Sequence, residues 1–215
     1  MSTQKGRNVR VEVGITEGST DTVTAITKAN PGVASSTGHG NANGVIGYLT
    51  GVEGMTELEG QAIAVDDTAT DAFDLEGIDT TNFGTFTDSC VFTPISAWAT
   101  LSTLTQYEIP NAEADQLDVT TLLDNQKQSE AGMLAAQNVT FSGFSDPQLA
   151  AMAAVEAAAR DGDLLVFKIT FPNGERRVFR GQPSLPGESV SVSQMATAGF
   201  SVTVKGRILK LPAVS

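Results

Sequence analysis

The sequence predicts a mainly β protein with one packed helix: a β-sandwich or barrel domain that carries a small all-β domain inserted into it. Three observations lead there. Residues 163–181, DLLVFKITFPNGERRVFRG, alternate as an antiparallel hairpin around a Pro-Asn-Gly turn. Residues 146–160 carry an apolar stripe at helical spacing. The charge is also unevenly placed: of a net −12, residues 21–91 hold eleven acidic groups against Lys28 alone, a local −10, and the other 144 residues hold only −2. Two modules with different surfaces follow, one discontinuous over 1–20 and 92–215 and one inserted over 21–91.

Taken in chain order, Met1 to Arg7 is a polar arm too charged to pack in a core, and Asn8 to Gly14 reads as a first strand placed at a sheet edge. Within the insert, Thr22 to Lys28 alternates, Asn30-Pro31-Gly32 turns the chain, and Val45 to Leu49, Gln61 to Val65 and Phe73 to Ile78 are further strands. Each piece is short and bounded by Gly, Asn, Asp or Thr, so a small sandwich or barrel is the product. Beyond the insert, Trp98 to Ile109 alternates through Leu101, Leu104 and Tyr107, and 111–134 is an acidic loop with Glu113, Asp115, Asp118, Asp124 and Glu130 against Lys127.

Gln137 to Phe144 supplies the next strand. Ser145-Asp146-Pro147 offers an N-cap and a first-turn proline, Leu149, Met152 and Val155 form the stripe, and Gly162 ends the helix. In the hairpin, Leu165, Phe167, Ile169 and Phe171 share one face, and Gly174 is free to take positive φ after Pro172 and Asn173. Arg180 and Gly181 close the second strand. Ser189 to Gln194 and Phe200 to Leu209 alternate again.

Composition bounds the function. With 40% hydrophobic and 18% charged residues the chain belongs with globular proteins, and no apolar run approaches the roughly 20 residues of a membrane helix. The start MSTQKGRN lacks the apolar stretch of a signal peptide, so a soluble, unexported chain without membrane insertion is expected. Cys90 is the only cysteine and His39 the only histidine. His39 sits in STGHGNANG and reads as a solvated loop residue.

Enzyme readings find little to stand on. Asp66-Asp67 is a carboxylate pair in a turn-rich loop, Gly38-His39-Gly40 lacks the lysine and helix of a phosphate loop, and Cys90 has no base near it. The series Asp66, Asp67, Asp71, Asp74 does not match calcium-loop spacing. Catalytic, cofactor-binding and metal residues are accordingly expected to be none. Arg176, Arg177 and Arg180 cluster, but Glu175 interrupts them and no aromatic residues interleave them, so specific DNA binding is not expected.

The block from about 137 to 211, a helix followed by FPNG, VFRG and a closing pair of strands, closely resembles the C-terminal half of the major tail tube proteins of long-tailed, lambda-type bacteriophages. LDVTTLLDNQ, residues 117–126, resembles the long-loop opening of the same family. The strings ITKANPGVASSTGHGNANG, LTGVEGMTELEGQAIAV and AFDLEGIDTTNFG resemble a β module of phage structural proteins, similar in fold only to a half-domain of ubiquitin-activating enzymes.

The resemblance implies a virion structural protein that forms stacked hexameric rings, a tube through which DNA passes without specific binding. Its implied partners are further copies, a tape-measure protein, and tail terminator or baseplate proteins, with assembly in the host cytoplasm and residence in the virion tail. Lys5, Arg7, Asp115, Asp118 and Asp124 become the candidate inter-ring contacts, and Pro172, Asn173, Gly174, Arg180 and Gly181 the candidate hairpin and turn residues. Residues 160–215 carry eight bases and four acids, a charge that suits head-to-tail stacking against the acidic loop. The alternative is a receptor-binding or adhesion protein in which the acidic module binds the ligand; a tube protein of a related secretion system is a third, weaker fit to FPNG and FRG.

Overall fold

The computed structural model describes residues 7–111, 113–121, 123 and 125–214. β1 (Arg10–Glu17) leads into the acidic segment, which holds β2 (Asp21–Val23), β3 (Ala25–Ile26), β4 (Val33–Ser35), β5 (Ile46–Thr50), β6 (Ala62–Ala69) and β7 (Ala72–Leu75). β8 (Cys90–Thr100), β9 (Leu104–Glu108), and the pair β10 (Ala114–Asp118) and β11 (Ser129–Leu134) come next. Then follow β12 (Asn138–Phe144), helix α1 (Ala150–Asp161), β13 (Leu165–Thr170), β14 (Arg176–Pro183), β15 (Gly187–Ser189) and β16 (Thr197–Leu211).

Fourteen strands join one antiparallel sheet in the order β3-β4-β7-β6-β5-β8-β1-β13-β14-β16-β12-β9, with β2 added on β8 and β15 on β16. The sheet does not close: β3 and β9 are its ends. Among the described residues β10 and β11 pair only with each other. β8 belongs to both halves of the sheet, since Cys90 to Phe92 pair with β2, Val91 to Pro94 with β5, and Ile95 to Thr100 with β1.

Two apolar cores lie on opposite faces of the central strands. One gathers the acidic segment's Leu49, Leu58, Ile63, Phe73 and Phe92, and is completed by Val166, Val178, Leu209 and Leu211 from β13, β14 and β16. The other holds Val11, Val13, Phe141, Phe167, Ile169, Phe179 and Phe200. Consecutive residues of β13, Val166 and Phe167, therefore point into different cores. That is why the face of LVFKIT that carries the polar Lys168 and Thr170 also carries the apolar Val166.

Helix α1 covers the second core with Ala151, Met152, Val155 and Ala158 buried. Burying Met152 and Val155 stabilises by about 1.5–3 kcal/mol each. Gly162, at φ 82°, ends the helix in the left-handed region, where its N–H and that of Asp163 both donate to the Ala158 carbonyl at 2.9 Å. The helix begins later than Ser145-Asp146-Pro147 suggests. Those residues enter a separate turn, in which Leu149 N–H donates to the Asp146 carbonyl at 3.2 Å, and Leu149 caps the helix without a side-chain bond.

Other departures have clear causes. Asn8 to Gly14 was expected at a sheet edge, but β1 lies between β8 and β13, and Val11 to Gly14 are all buried. Glu12 survives burial because Lys168 Nζ is 2.8 Å from its carboxylate. Trp98 to Ile109 is not one strand: β8 ends at Thr100 and β9 starts at Leu104, and Phe144 N–H donates to the Thr103 carbonyl across the turn. Thr22 to Lys28 likewise divides into the end of β2 and β3.

Ser189 to Gln194 is not a strand either. β15 ends at Ser189, and a turn through Ser193 at φ 71° follows, closed by Gln194 N–H donating to Ser191. His39 is buried rather than solvated. Its Nε2 donates toward the carbonyls of Ala69 at 2.9 Å and Ala72 at 3.2 Å, Nδ1 accepts from Asn41 N–H at 3.0 Å, and its ring meets Phe73 edge-on. It locks a Gly- and Asn-rich loop onto the β6–β7 turn. Asp66 and Asp67 stand within β6 at a bulge, not in a loop.

Candidate assembly surfaces

The first surface is the arm made by β10 and β11. Leu117 faces Glu130 and Asp118 faces Ser129 in the register, so one face carries Asp115, Leu117, Glu130 and Gly132. The other carries Gln116, Asp118, Ser129 and Ala131, with Ser129 donating to Gln116 at 2.9 Å. Among the described residues no arm side chain belongs to either core, and Leu117, Leu123 and Met133 are 56%, 93% and 85% exposed. Hydrogen bonds from Thr120, through its side chain and through its N–H at 2.9 Å, hold the Asp118 carboxyl below the ordinary range, and Lys127 lies 3.7 Å away. Asp115 is exposed on the opposite face. Asp124 and Lys5 lie outside the described residues, and Arg7 is exposed next to the turn that precedes β1.

The second feature is the seam between the acidic segment and β14 and β16, which sequence reasoning missed. Arg176 Nη2 donates to both carboxylate oxygens of Glu76, at 2.9 and 2.8 Å, with both side chains less than a tenth exposed. Burial pushes the Glu76 carboxyl up and the Arg176 guanidinium pulls it back. Arg180 stacks 3.6 Å over the Tyr48 ring, whose hydroxyl donates to Glu17, and Arg207 lies over Phe83 at 5.4 Å. Bases of 160–215 expected to face another subunit are thus held within their own chain. Arg180, grouped by sequence with the hairpin, is a seam residue.

At the hairpin tip, Gly174 N–H donates to the Phe171 carbonyl at 2.9 Å with Pro172 and Asn173 between them, and Gly174 sits at φ 85°. Asn173 Oδ1 accepts from Glu175 N–H at 3.1 Å, so each residue of FPNG has a local task. Gly181 lies between Leu165 and Val204, where a Cβ would come within 2.5 Å of the Thr203 carbonyl. Beyond the tip, Arg177 and Lys210 face each other across β14 and β16.

Two further features bear on function. Leu185, Val190, Val192 and Met195 flank β15 at 57% to 97% exposure, a second group of apolar side chains outside the cores. Cys90 is 2% exposed, and burial pushes its thiol up to about 11, so it is a packing residue rather than a nucleophile.

A family model described as phage tail tube protein matches residues 53–211, from within the acidic segment to the end of β16. No curated protein matches. Among solved structures, a chain of the "tail of empty GTA particle computed with helical refinement, C6 symmetry" is similar over 54% of this chain and 87% of its own, at 14% identity and a TM-score of 0.43.

Proposed function

The chain belongs to the phage tail tube protein family and is a structural protein of the virion tail, and from that premise we propose that six copies close into a ring and that rings stack into the tube. The observation that carries this reading is the β10–β11 arm. A lone two-stranded ribbon is marginal in water, and this one exposes Leu117, Leu123 and Met133 without a core of its own. A neighbouring ring supplies the surface it lacks. The unpaired edge of β9 offers backbone groups to the adjacent subunit of the same ring. The arm, with Asp115, Asp118 and Asp124, and the amino-terminal Lys5 and Arg7 are the inter-ring contacts of this reading.

The bore serves DNA passage without specific binding and holds a tape-measure protein during assembly in the host cytoplasm, while terminator and baseplate proteins cap its ends. Helix α1 covers the sheet away from the lumen, since its buried face needs a core and the lumen needs polar side chains. Electron microscopy of the purified chain tests the proposal. Rings and tubes are the expected result, lost without change in melting temperature when residues 113–135 are replaced by a short linker. Monodisperse monomers that bind cells would instead favour the adhesion reading.

The division into a tube domain, 1–20 and 92–215, and an insert, 21–91, is part of the same proposal. It is supported by Thr22 and Val91 being paired neighbours, so the insert leaves and rejoins at one place. A fair deletion of 22–90 also makes Val166, Val178, Leu209, Leu211 and Arg176 polar and uncharged, because those side chains face the insert. The expected product is soluble and still assembles; a misfolded product rejects the boundary.

A further inference from the structure

We propose that the acidic face of the arm docks into a basic groove on a second copy of this chain, formed where the β13–β14 turn meets β9 and β16. The groove, of about 550 Å³, is lined by Tyr107, Ile109, Phe171 and Ile208, with Arg177 and Lys210 at its rim. This inference rests on the tube reading and names the receiving half of the stacking contact.

The first ground is an uncompensated repulsion. Arg177 and Lys210 are direct partners in the β14–β16 register, which puts two cations on one face with Cβ atoms about 5 Å apart. Like charges directly opposite each other destabilise a sheet. Arg177 has Glu175 at 3.2 Å and lies 5.1 Å over Phe171, while Lys210 is exposed with no ion pair among the described residues. Glu175 faces Arg177 and no carboxylate among the described residues faces Lys210, so an anionic partner entering the groove relieves the site.

The second ground is the matching pattern on the arm. Asp115 and Glu130 flank Leu117 on one face, Gly132 leaves that face open, and neither carboxylate has an ion pair among the described residues. Two acids around a leucine complement two bases around a patch of Tyr107, Phe171 and Ile208. On the opposite arm face Asp118 already lies beside Lys127.

The third ground is that the arm leaves its own groove unfilled. The arm departs from Pro110 and Asn111, which also line the groove, and Gln137 Nε2 donates to the Pro110 carbonyl at 2.9 Å to close the root. Among the described residues neither Asp115 nor Glu130 pairs with Arg177 or Lys210 of the groove beside which their own arm begins. They meet the groove of another copy. Such a contact joins two different surfaces, so it repeats from copy to copy and, where its rotation does not close a ring, propagates along an axis.

Charge reversal tests the docking. Arg177→Glu/Lys210→Glu and Asp115→Lys/Glu130→Lys should each reduce sedimentable tube by about tenfold or more at moderate salt, since like-charge juxtaposition costs several kcal/mol. Combining all four substitutions in one chain should restore tubes, a rescue that damage to folding cannot produce. Lys210→Glu alone, at an exposed position, should give a partial loss with unchanged melting temperature. Groove variants that stack like wild type, or a four-fold variant that does not recover, overturn the docking while the wild-type tubes keep the tube reading intact. A wild-type chain that forms neither rings nor tubes removes both.

Discussion

Replacing Arg176 with alanine is expected to destabilise the protein by about 3–5 kcal/mol, measured as the loss of unfolding free energy in urea. The reason is what remains. Glu76 is buried, its two oxygens both accept from Arg176 Nη2, and the Arg176 Nε donates to the Pro212 carbonyl at 3.3 Å. Truncation therefore strands a carboxylate in a site that already disfavours its charge, and burial raises its pKa further. A folded-state pKa above the unfolded one means that the folded state holds the proton more tightly. The variant should regain stability on acidification through the carboxylate range and lose it again as pH rises through the raised pKa. Glu76→Leu with Arg176→Met should recover most of the loss, because removing both charges leaves nothing unpaired. A single-variant loss under about 1 kcal/mol would show that water reaches the pair.

Phe167→Ala should cost a similar about 3–5 kcal/mol, through a different mechanism. Phe167 is fully buried in the second core and stacks with Phe141 at 5.8 Å and Phe179 at 5.4 Å, with Phe200 at 6.4 Å. Its ring is the centre of that group, so removal leaves a void lined by aromatic side chains on β12, β14 and β16, which are fixed in the sheet and unable to collapse. Phe167→Leu should retain roughly half of the lost stability because it refills part of the volume. The measurement is the same urea midpoint, with assembly scored separately. A loss confined to a few tenths of a kcal/mol would mean that the core rearranges around the vacancy.

What could be read ahead of the structure was local. The FPNG turn follows from four adjacent residues, and the end of α1 from one glycine, so neither needs knowledge of distant partners. The start of α1 was harder, because Asp146 and Pro147 are equally good turn residues and Leu149 carries no capping group. Glu12 in RVEVG makes β1 look half-wet, and only Lys168, far along the chain, makes its interior position tolerable. The seam was illegible for the same reason: Glu76 and Arg176 are 100 residues apart. Charge counting detected that acid and base were segregated, yet it assigned their attraction to contacts between subunits when part of it is spent inside one. For the assembly surfaces, 111–134 was legible as acidic and uncommitted. The pairing of β10 with β11 was not, since ADQLD and SEAGML carry little strand propensity and no tight-turn signal between them.

Because β8 is a single unbroken strand common to both halves of the sheet, the acidic segment and the rest of the sheet share a mechanical element. A tug on the acidic segment is carried through the hydrogen-bonded rungs from β5 through β8 to β1, along a continuous strand and not through a hinge. In the proposed tube, if the acidic segment lies outermost, contact with a surface outside the particle would be transmitted as strain into the strands of the wall, and the segment would act less as a tethered ornament than as a rigid handle.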